Sequence, residues 1–472
     1  VAPITAILDP MVAMFGRTEL LTSETEVNEG NILKILARVN ADFTRNSAEI
    51  QYLYQYFRGY QPILLREKLI RPEINNTIVE NHAYEVVTFK AGYEFGEPLQ
   101  YVRRGNENES SDKIDKLNKY MIAMNKSKQD KDLAEWFHIC GVGYRMVLPT
   151  NSYAEVPFEF DTLDPRVTGV VRNNGFGKKP ILGFTKVLMD DNSVIYSCYT
   201  PTMFYKIKDL TEIVYSEPHV MGYIPIIEYP ANSSRLGSFE VVLGLLDAVN
   251  STTSNRLDGI EQFIQAFVKF INCDIDEETF IAMKAMGAVK VKSTNPGEAV
   301  DVDIISNELD QGQAQISKDD LYQMILIICG MPDRNGSNRT TGDTGAAVIL
   351  RDGWGAAESR ARSTELMFKA SETEFLRVVL KIANQLAGLG LEASDIDIKF
   401  TRNKTDNLLT KTQGLQTLLE AGIDPHIAIA TTGLFSDPEL VYAQSKPYLK
   451  KWLQIETTVT PANNKANPEN GE

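Results

Sequence analysis

Four histidines and four cysteines are all that the chain of 472 residues offers for metal or thiol chemistry, and neither set is grouped. His82, His138, His219 and His426 form no HExxH motif and no i,i+4 pair, so no metal site is expected. Cys140, Cys198, Cys273 and Cys329 match no CxxC spacing. That excludes a zinc site and a disulfide framework, and leaves four buried thiols of a reducing compartment. A GxxxxGK[ST] phosphate loop and a GxSxG elbow are both missing. Gly175-Phe176-Gly177-Lys178-Lys179 has the superficial look of a phosphate loop, but it stands between strand patterns with no helix after it and reads as a surface turn. Asp274, Asp276, Glu277 and Glu278 lack the ligand spacing of a calcium loop and read as a solvated helix start. Long apolar runs are absent too. The longest, Met324 to Cys329, is far short of a membrane span, and the first ten residues, VAPITAILDP, lack the basic region of a signal peptide. No catalytic residue, cofactor, metal or membrane contact is therefore expected.

Positive charge is also in short supply, with 48 Lys and Arg against 63 Asp and Glu, a net charge of -15. Tight coating of nucleic acid needs the opposite balance, although a surface past which DNA slides does not. Hydrophobic content of 43% and charge of 24% are those of a globular protein, and the length calls for two or more domains. No internal repeat is found.

What is present is a helical period of unusual extent. Leu246, Val249, Thr253, Leu257, Ile260, Ile264, Phe267 and Ile271 follow one another at steps of three and four, and no proline interrupts residues 239–271. Unbroken, such a helix would be about 50 Å long. Its polar middle, Asn250 to Asn255, interrupts the apolar stripe. A second helix is expected over residues 317–329, opened by Ser317 and Asp320 as a capping box and apolar on most faces, antiparallel to the first. Between the two lies a small α/β tip, residues 272–313, with alternating segments at 288–292 and 299–305.

Ahead of the long helix the pattern is mixed. A helix is expected from Asn31, then a tyrosine cluster (Tyr52, Tyr54, Tyr56, Phe57, Tyr60) of the kind that packs into a core or against a partner. Residues 83–90 read as β-forming, 111–124 and 130–139 as helices, and 144–148, 156–160, 169–172, 181–188, 193–199 and 203–207 as strands. After the second helix, residues 331–345 are loop-like. A third helix is expected from about 346 to 387, bent near Trp354 between Gly353 and Gly355, then a strand at 395–400 and three short helices ending near Trp452. The tail 456–472 is expected to be disordered. The fold class is α+β.

Two features could meet nucleic acid: Arg334, Asn338 and Arg339 in the loop, and Lys284, Lys290 and Lys292 on the tip. An ordinary surface loop, and an edge strand protected by lysines, account for them equally well.

Arg71-Pro72, Asn75, Asn76, Asn81, Tyr84, Gly92-Tyr93 and Gly96-Glu97-Pro98 resemble the early wing of portal proteins of tailed double-stranded DNA bacteriophages with long non-contractile tails. His219, Gly222, residues 224–229 (IPIIEY), Asn232, Glu240, Leu246, Asp247, Asn250, Ser254 and Asn255 are similar to that family's approach to its first stem helix. The resemblance covers roughly residues 50 to 450. It implies a mixed α/β wing (1–238 and 346–411), stem helices (239–271 and 314–330), a clip (272–313), a tunnel loop (331–345) and a helical crown (412–455). It further implies a homo-oligomeric ring, usually of twelve subunits, at one capsid vertex, in the host cytoplasm during assembly and then in the virion. Double-stranded DNA would pass without sequence specificity during packaging and ejection. Terminase, a head-completion adaptor, and the major capsid and scaffolding proteins are the implied partners. Under this resemblance Arg334, Asn338, Arg339, Thr340 and Thr341 would face the DNA channel and the three lysines would lie on the clip. Asn250, Asn255, Leu257, Ile260, Ile264 and Phe267 would pack the stem. The rival classes are a nucleotide-processing enzyme with an unrecognised site and a scaffold that never touches DNA.

Overall fold

The computed structural model describes residues 16–69, 72–104, 111–150, 155–219, 221–264, 267–271, 273–274, 276–278, 281, 292–293, 301–305, 311–333, 353–400, 408–435 and 438–446. Helix α1, Ile32–Phe57, runs well past the pattern that announces it and carries the tyrosine cluster on its last turns. Its first half buries Ile35, Leu36, Val39 and Phe43; its second buries Ile50, Leu53, Tyr56 and Phe57. The first half covers one face of a six-stranded sheet. That sheet comprises β1 (Leu20–Thr22), β5 (Thr168–Asn173), β6 (Pro180–Leu188), β7 (Val194–Tyr199), β8 (Met203–Lys208) and β9 (Glu212–Pro218), adjacent in that order. β1 joins β5 in parallel, and the other neighbours are antiparallel, as consecutive hairpins must be.

A second layer begins with α2 (His82–Phe95), β2 (Gln100–Arg103), α3 (Ser111–Ala123), α4 (Lys126–Cys140), β3 (Val142–Pro149) and β4 (Phe158–Leu163). Gly141, at φ 82°, turns the chain from α4 into β3, and a Cβ there would stand 2.0 Å from the carbonyl oxygen of Arg235. β10 (Ile226–Pro230) completes a three-stranded sheet, β10-β3-β4. Across it packs α7 (Trp354–Ala387), whose Phe368, Phe375 and Val379 share a core with Phe137, Phe158 and Tyr229. The chain after α7 then returns as β15 (Ile396–Lys399) to pair with β2. All six expected strands are present; β1, β2 and β9, short or charged, escape the alternation test.

The long helix differs from its expected form. Glu240–Val242 is a 3-10 turn, α5 occupies Leu243–Ile264, and Phe267–Ile271 is not helix but β11, antiparallel to β14 (Asp301–Ile305). The helix is thus about 33 Å long rather than 50. FVKFI carries β-branched and aromatic residues that satisfy a strand as well as a helix stripe, and the partner strand decides between them. β11 starts just beyond α5 and β14 ends shortly before α6 (Gln311–Cys329), so the tip sits at the far end of this helix pair. β12 (Cys273–Asp274) and β13 (Lys292–Ser293) form a second small ladder there.

Three further expectations are corrected. Residues 83–90 are helical within α2, because Asn81 accepts a hydrogen bond from the Tyr84 amide at 3.2 Å and Ala83, Val86, Val87 and Ala91 bury at helical spacing. α6 starts at Gln311, so Ser317 and Asp320 are interior and form no capping box. The long helix starts, rather than bends, at Trp354, with Gly353 left-handed at φ 81° before it; residues 346–352 lie outside the described residues. Of the final helices, α8 (Leu408–Glu420) and α9 (Pro425–Thr432) match expectation; α10 (Pro438–Ser445) starts where expected, and residues 447–452, which it was expected to reach, lie outside the described residues. Asp424 caps α9, and Gly433 ends it at φ 56°.

Candidate functional site

α5 presents three polar side chains at a spacing of four: Asn250, Ser254 and Asp258, all buried. Against them lies the segment 76–80, and every second backbone amide of that segment donates to one of them. Asn76 N reaches Asp258 Oδ1 at 2.8 Å, Ile78 N reaches Ser254 Oγ at 3.0 Å, and Glu80 N reaches Asn250 Oδ1 at 2.8 Å. Four helical residues rise about 6 Å and two extended residues about 6.6 Å, so the two repeats stay in step. The segment is a strap fastened along the helix. Asn250 also donates to Gln61 at 2.5 Å, which leaves none of its buried polar atoms idle.

Charge reinforces both ends of the strap. Asp258 pairs with Lys68 and with Arg66 (3.2 Å). Burial alone would raise its carboxyl, but Lys68 and the two nitrogens of Asn76 hold it below its ordinary value. Glu80 is likewise held down, by Lys318 and Thr253 against the opposing effect of burial. Lys318 (2.7 Å) comes from α6 and Thr253 from α5, so Glu80 bridges these two helices. Beside it the His82 ring lies 4.5 Å from that of Tyr322, also on α6, with Nδ1 at 2.9 Å from Glu85. Arg256 of α5 donates to Gln315 of α6 at 2.6 Å.

Of the residues expected to pack the stem, Asn250 does so fully and Asn255 accepts a hydrogen bond from Arg66 at 2.6 Å. Leu257 and Ile260 instead face solvent, 38% and 43% exposed, and Phe267 belongs to β11. Ile264 is the last residue of α5. α6, apolar on most faces, buries Ile325, Leu326 and Cys329, while Ile316, Met324, Ile327 and Ile328 are exposed in the single chain. Lys292 opens β13. Arg334, Asn338, Arg339, Thr340, Thr341, Lys284 and Lys290 lie outside the described residues, as does the tail. Ser254 lies in the polar middle that the sequence marked, whereas Asp258 and the strap were not foreseen; the fourth-residue polar repeat on α5 was the one signal that could have pointed to them.

The remaining candidates resolve simply. Gly175–Lys179 joins β5 to β6 as a surface turn and leads into a strand, which removes the helix a phosphate loop needs. Cys140, Cys198 and Cys329 are free and buried, and burial lifts the Cys329 thiol to about 11. Among the described residues no group of three or more His, Cys, Asp or Glu is placed to hold a metal ion, and no helix is long and apolar enough to cross a membrane.

Residues 36–447 match the profile of the family described as phage portal protein, SPP1 Gp6-like. The chain belongs to the phage portal family. It is a portal subunit, a structural component of phage particles, with the α+β fold of that family. No curated protein matches it. Among solved structures, this protein is similar to a chain from the neck of an empty gene transfer agent (GTA) particle, at 14% identity and TM-score 0.44, covering 75% of this chain and 90% of that one. Another comes from the virion of a native GTA particle, at 13% identity and TM-score 0.42, covering 82% and 94%.

Proposed function

We propose that this portal chain closes head-to-tail into a ring, of twelve copies as portals usually are, at one capsid vertex. Double-stranded DNA of any sequence is packaged and later ejected through the ring. In this reading residues 1–238 and 346–411 are wing, α5 and α6 stem, residues 272–313 clip, 331–345 tunnel loop and 412–455 crown. Terminase docks on the clip, a head-completion adaptor joins the finished vertex, and assembly with capsid and scaffolding proteins takes place in the host cytoplasm. The observation that carries the proposal is the unpaired apolar surface of the stem. Ile316, Met324, Ile327 and Ile328 of α6 and Leu257 and Ile260 of α5 are exposed in the isolated chain. A solvated helix pair has no reason to carry such stripes, whereas a ring that repeats one heterologous contact covers them all. The acidic charge suits a channel that must let phosphates slide rather than hold them.

Ile327→Glu is expected to block the ring while leaving the subunit folded, since Ile327 is 72% exposed. Negative-stain imaging and native mass measurement would show closed rings for wild type and monomers or short arcs for the variant. Rings of normal size and stability in the variant would remove α6 from the contact. Replacing Asn338 and Arg339 together by alanine is expected to leave rings intact and to reduce DNA packaging or retention about tenfold or more. Undiminished packaging would return the loop to a passive surface and favour the scaffold role.

A further inference from the structure

The β5–β6 turn carries Phe176 wholly in solvent, at 104% exposure, between Gly175 and Gly177. The turn holding it is braced on either side of the phenylalanine. Lys178 N donates to Gly175 O at 3.1 Å, Asn173 N to Lys179 O at 3.0 Å, and Lys179 N to Asn173 Oδ1 at 3.0 Å. An ion pair from Lys178 to Glu19 ties the turn to the neighbouring strand. A phenylalanine presented on a braced turn is pre-organised to enter something, because little conformational freedom remains to be lost when it does.

Elsewhere on the chain, between β2, α3 and the start of α4, is a cavity of about 620 Å³. Leu99, Val102, Ile114, Met121 and Ile122 make its apolar wall, with Ile114 and Met121 buried and Ile122 75% exposed. Arg103 lines it as well, and its buried NH2 has no hydrogen-bond partner. A guanidinium with a buried nitrogen left unpaired can gain by lying on an aromatic face. At the edge stands exposed Asp115, opposite in sign to the exposed Lys179 beside Phe176. The turn belongs to the six-stranded sheet under α1, whereas the cavity belongs to the layer under α7.

We propose that Phe176 of each subunit inserts into the cavity at Leu99–Ile122 of the next, a second heterologous contact in the wing, separate from the stem. It rests on the ring reading above. A ring supplies the required geometry, since each copy offers one finger and receives one.

The test is cross-linking of the assembled full-length protein. Phe176→Cys with Ile122→Cys is expected to give a ladder of covalent oligomers with a short bismaleimide, and either single substitution none; wild type in parallel controls for its native thiols. No ladder in rings seen by negative stain overturns the finger contact and leaves the ring reading standing. A ladder from Phe176→Cys alone also overturns it, because fingers would then meet each other. Absence of any wild-type ring overturns the ring reading itself. Independently, Phe176→Ala is expected to raise the protein concentration at which rings half-dissociate about tenfold, and Phe176→Trp to restore it. An unchanged midpoint in Phe176→Ala refutes the inference.

Discussion

Arg145→Ala is expected to lose about 3–5 kcal/mol of stability, the largest effect of any single substitution outside the apolar core. Arg145 is fully buried, 2.6 Å from Asp130 and 3.5 Å from Glu372. Lys126 completes the group, 2.6 Å from Asp130 and 2.9 Å from Glu372, and the Tyr101 and Tyr229 hydroxyls both donate to Glu372. Two cations therefore balance two carboxylates at the meeting point of α4, β3, β10, β2 and α7. The guanidinium also lies within 5.1–5.5 Å of the ring centres of Phe160, Tyr229 and Phe375. Alanine leaves one lysine facing two buried carboxylates and opens a cavity among those rings. Urea unfolding of the full chain is the measurement. Lys128→Ala is the control: its 3.4 Å pair with Asp132 is exposed, and the change should stay within about 0.5 kcal/mol. Equal midpoints for the two variants would sink the account.

The same group sets an acid limit. Burial pushes the Glu372 carboxyl up, but Lys126 and Arg145 outweigh it and leave it below its ordinary value, and Arg235 and Arg172 do the same for Glu228. A carboxylate depressed in the folded state contributes stability that is complete above its unfolded pKa. That contribution disappears as the pH falls through the folded value. The wild type should therefore weaken steadily on the acid side of the ordinary carboxylate range.

Asn250→Ala is the second large expectation, about 2–3 kcal/mol. It strands the Glu80 amide and removes the partner of Gln61 in a fully buried setting. Asp258→Ala should cost as much by freeing Asn76, Arg66 and Lys68 together, and Asp258→Asn less, because an acceptor oxygen remains. The decisive readout is local. Hydrogen exchange at the amides of Asn76, Ile78 and Glu80 should be slow in wild type, with Glu80 the first released in Asn250→Ala and Asn76 in Asp258→Ala. Uniform exchange along the strap in all three proteins would show that these bonds do not hold it.

The contrast between what was legible in the sequence and what was not follows the range of the forces involved. Residues 142–208 announced their strands because alternation and turn residues act within a few positions. The same test failed at residues 83–90, where Val86, Val87 and Thr88 suggest a strand but an asparagine cap and a buried helical face prevail. It failed again at Phe267–Ile271, whose fate depends on a strand more than thirty residues away. On α5 the polar middle stood out against the apolar stripe. Asp258 did not, since a lone acid on a helix reads as solvated until its partners are seen. Those partners lie 182 residues earlier, at Asn76, and no local pattern spans that distance.

The late arrival of Glu372 and β15 bears on the order in which the molecule is made. Tyr101 and Glu372 are 271 residues apart, and β2 stays an unpaired edge until residues 396–399 exist. At ribosomal speeds of about 5–20 residues per second, the cations at 126 and 145 wait roughly 10–45 s for their second carboxylate. By then both α5 and α6 have left the ribosome with their apolar stripes exposed. The body that would hold those stripes in register seals only with the last third of the chain, so a half-synthesised subunit carries the stripes without the packed layer that fixes their position.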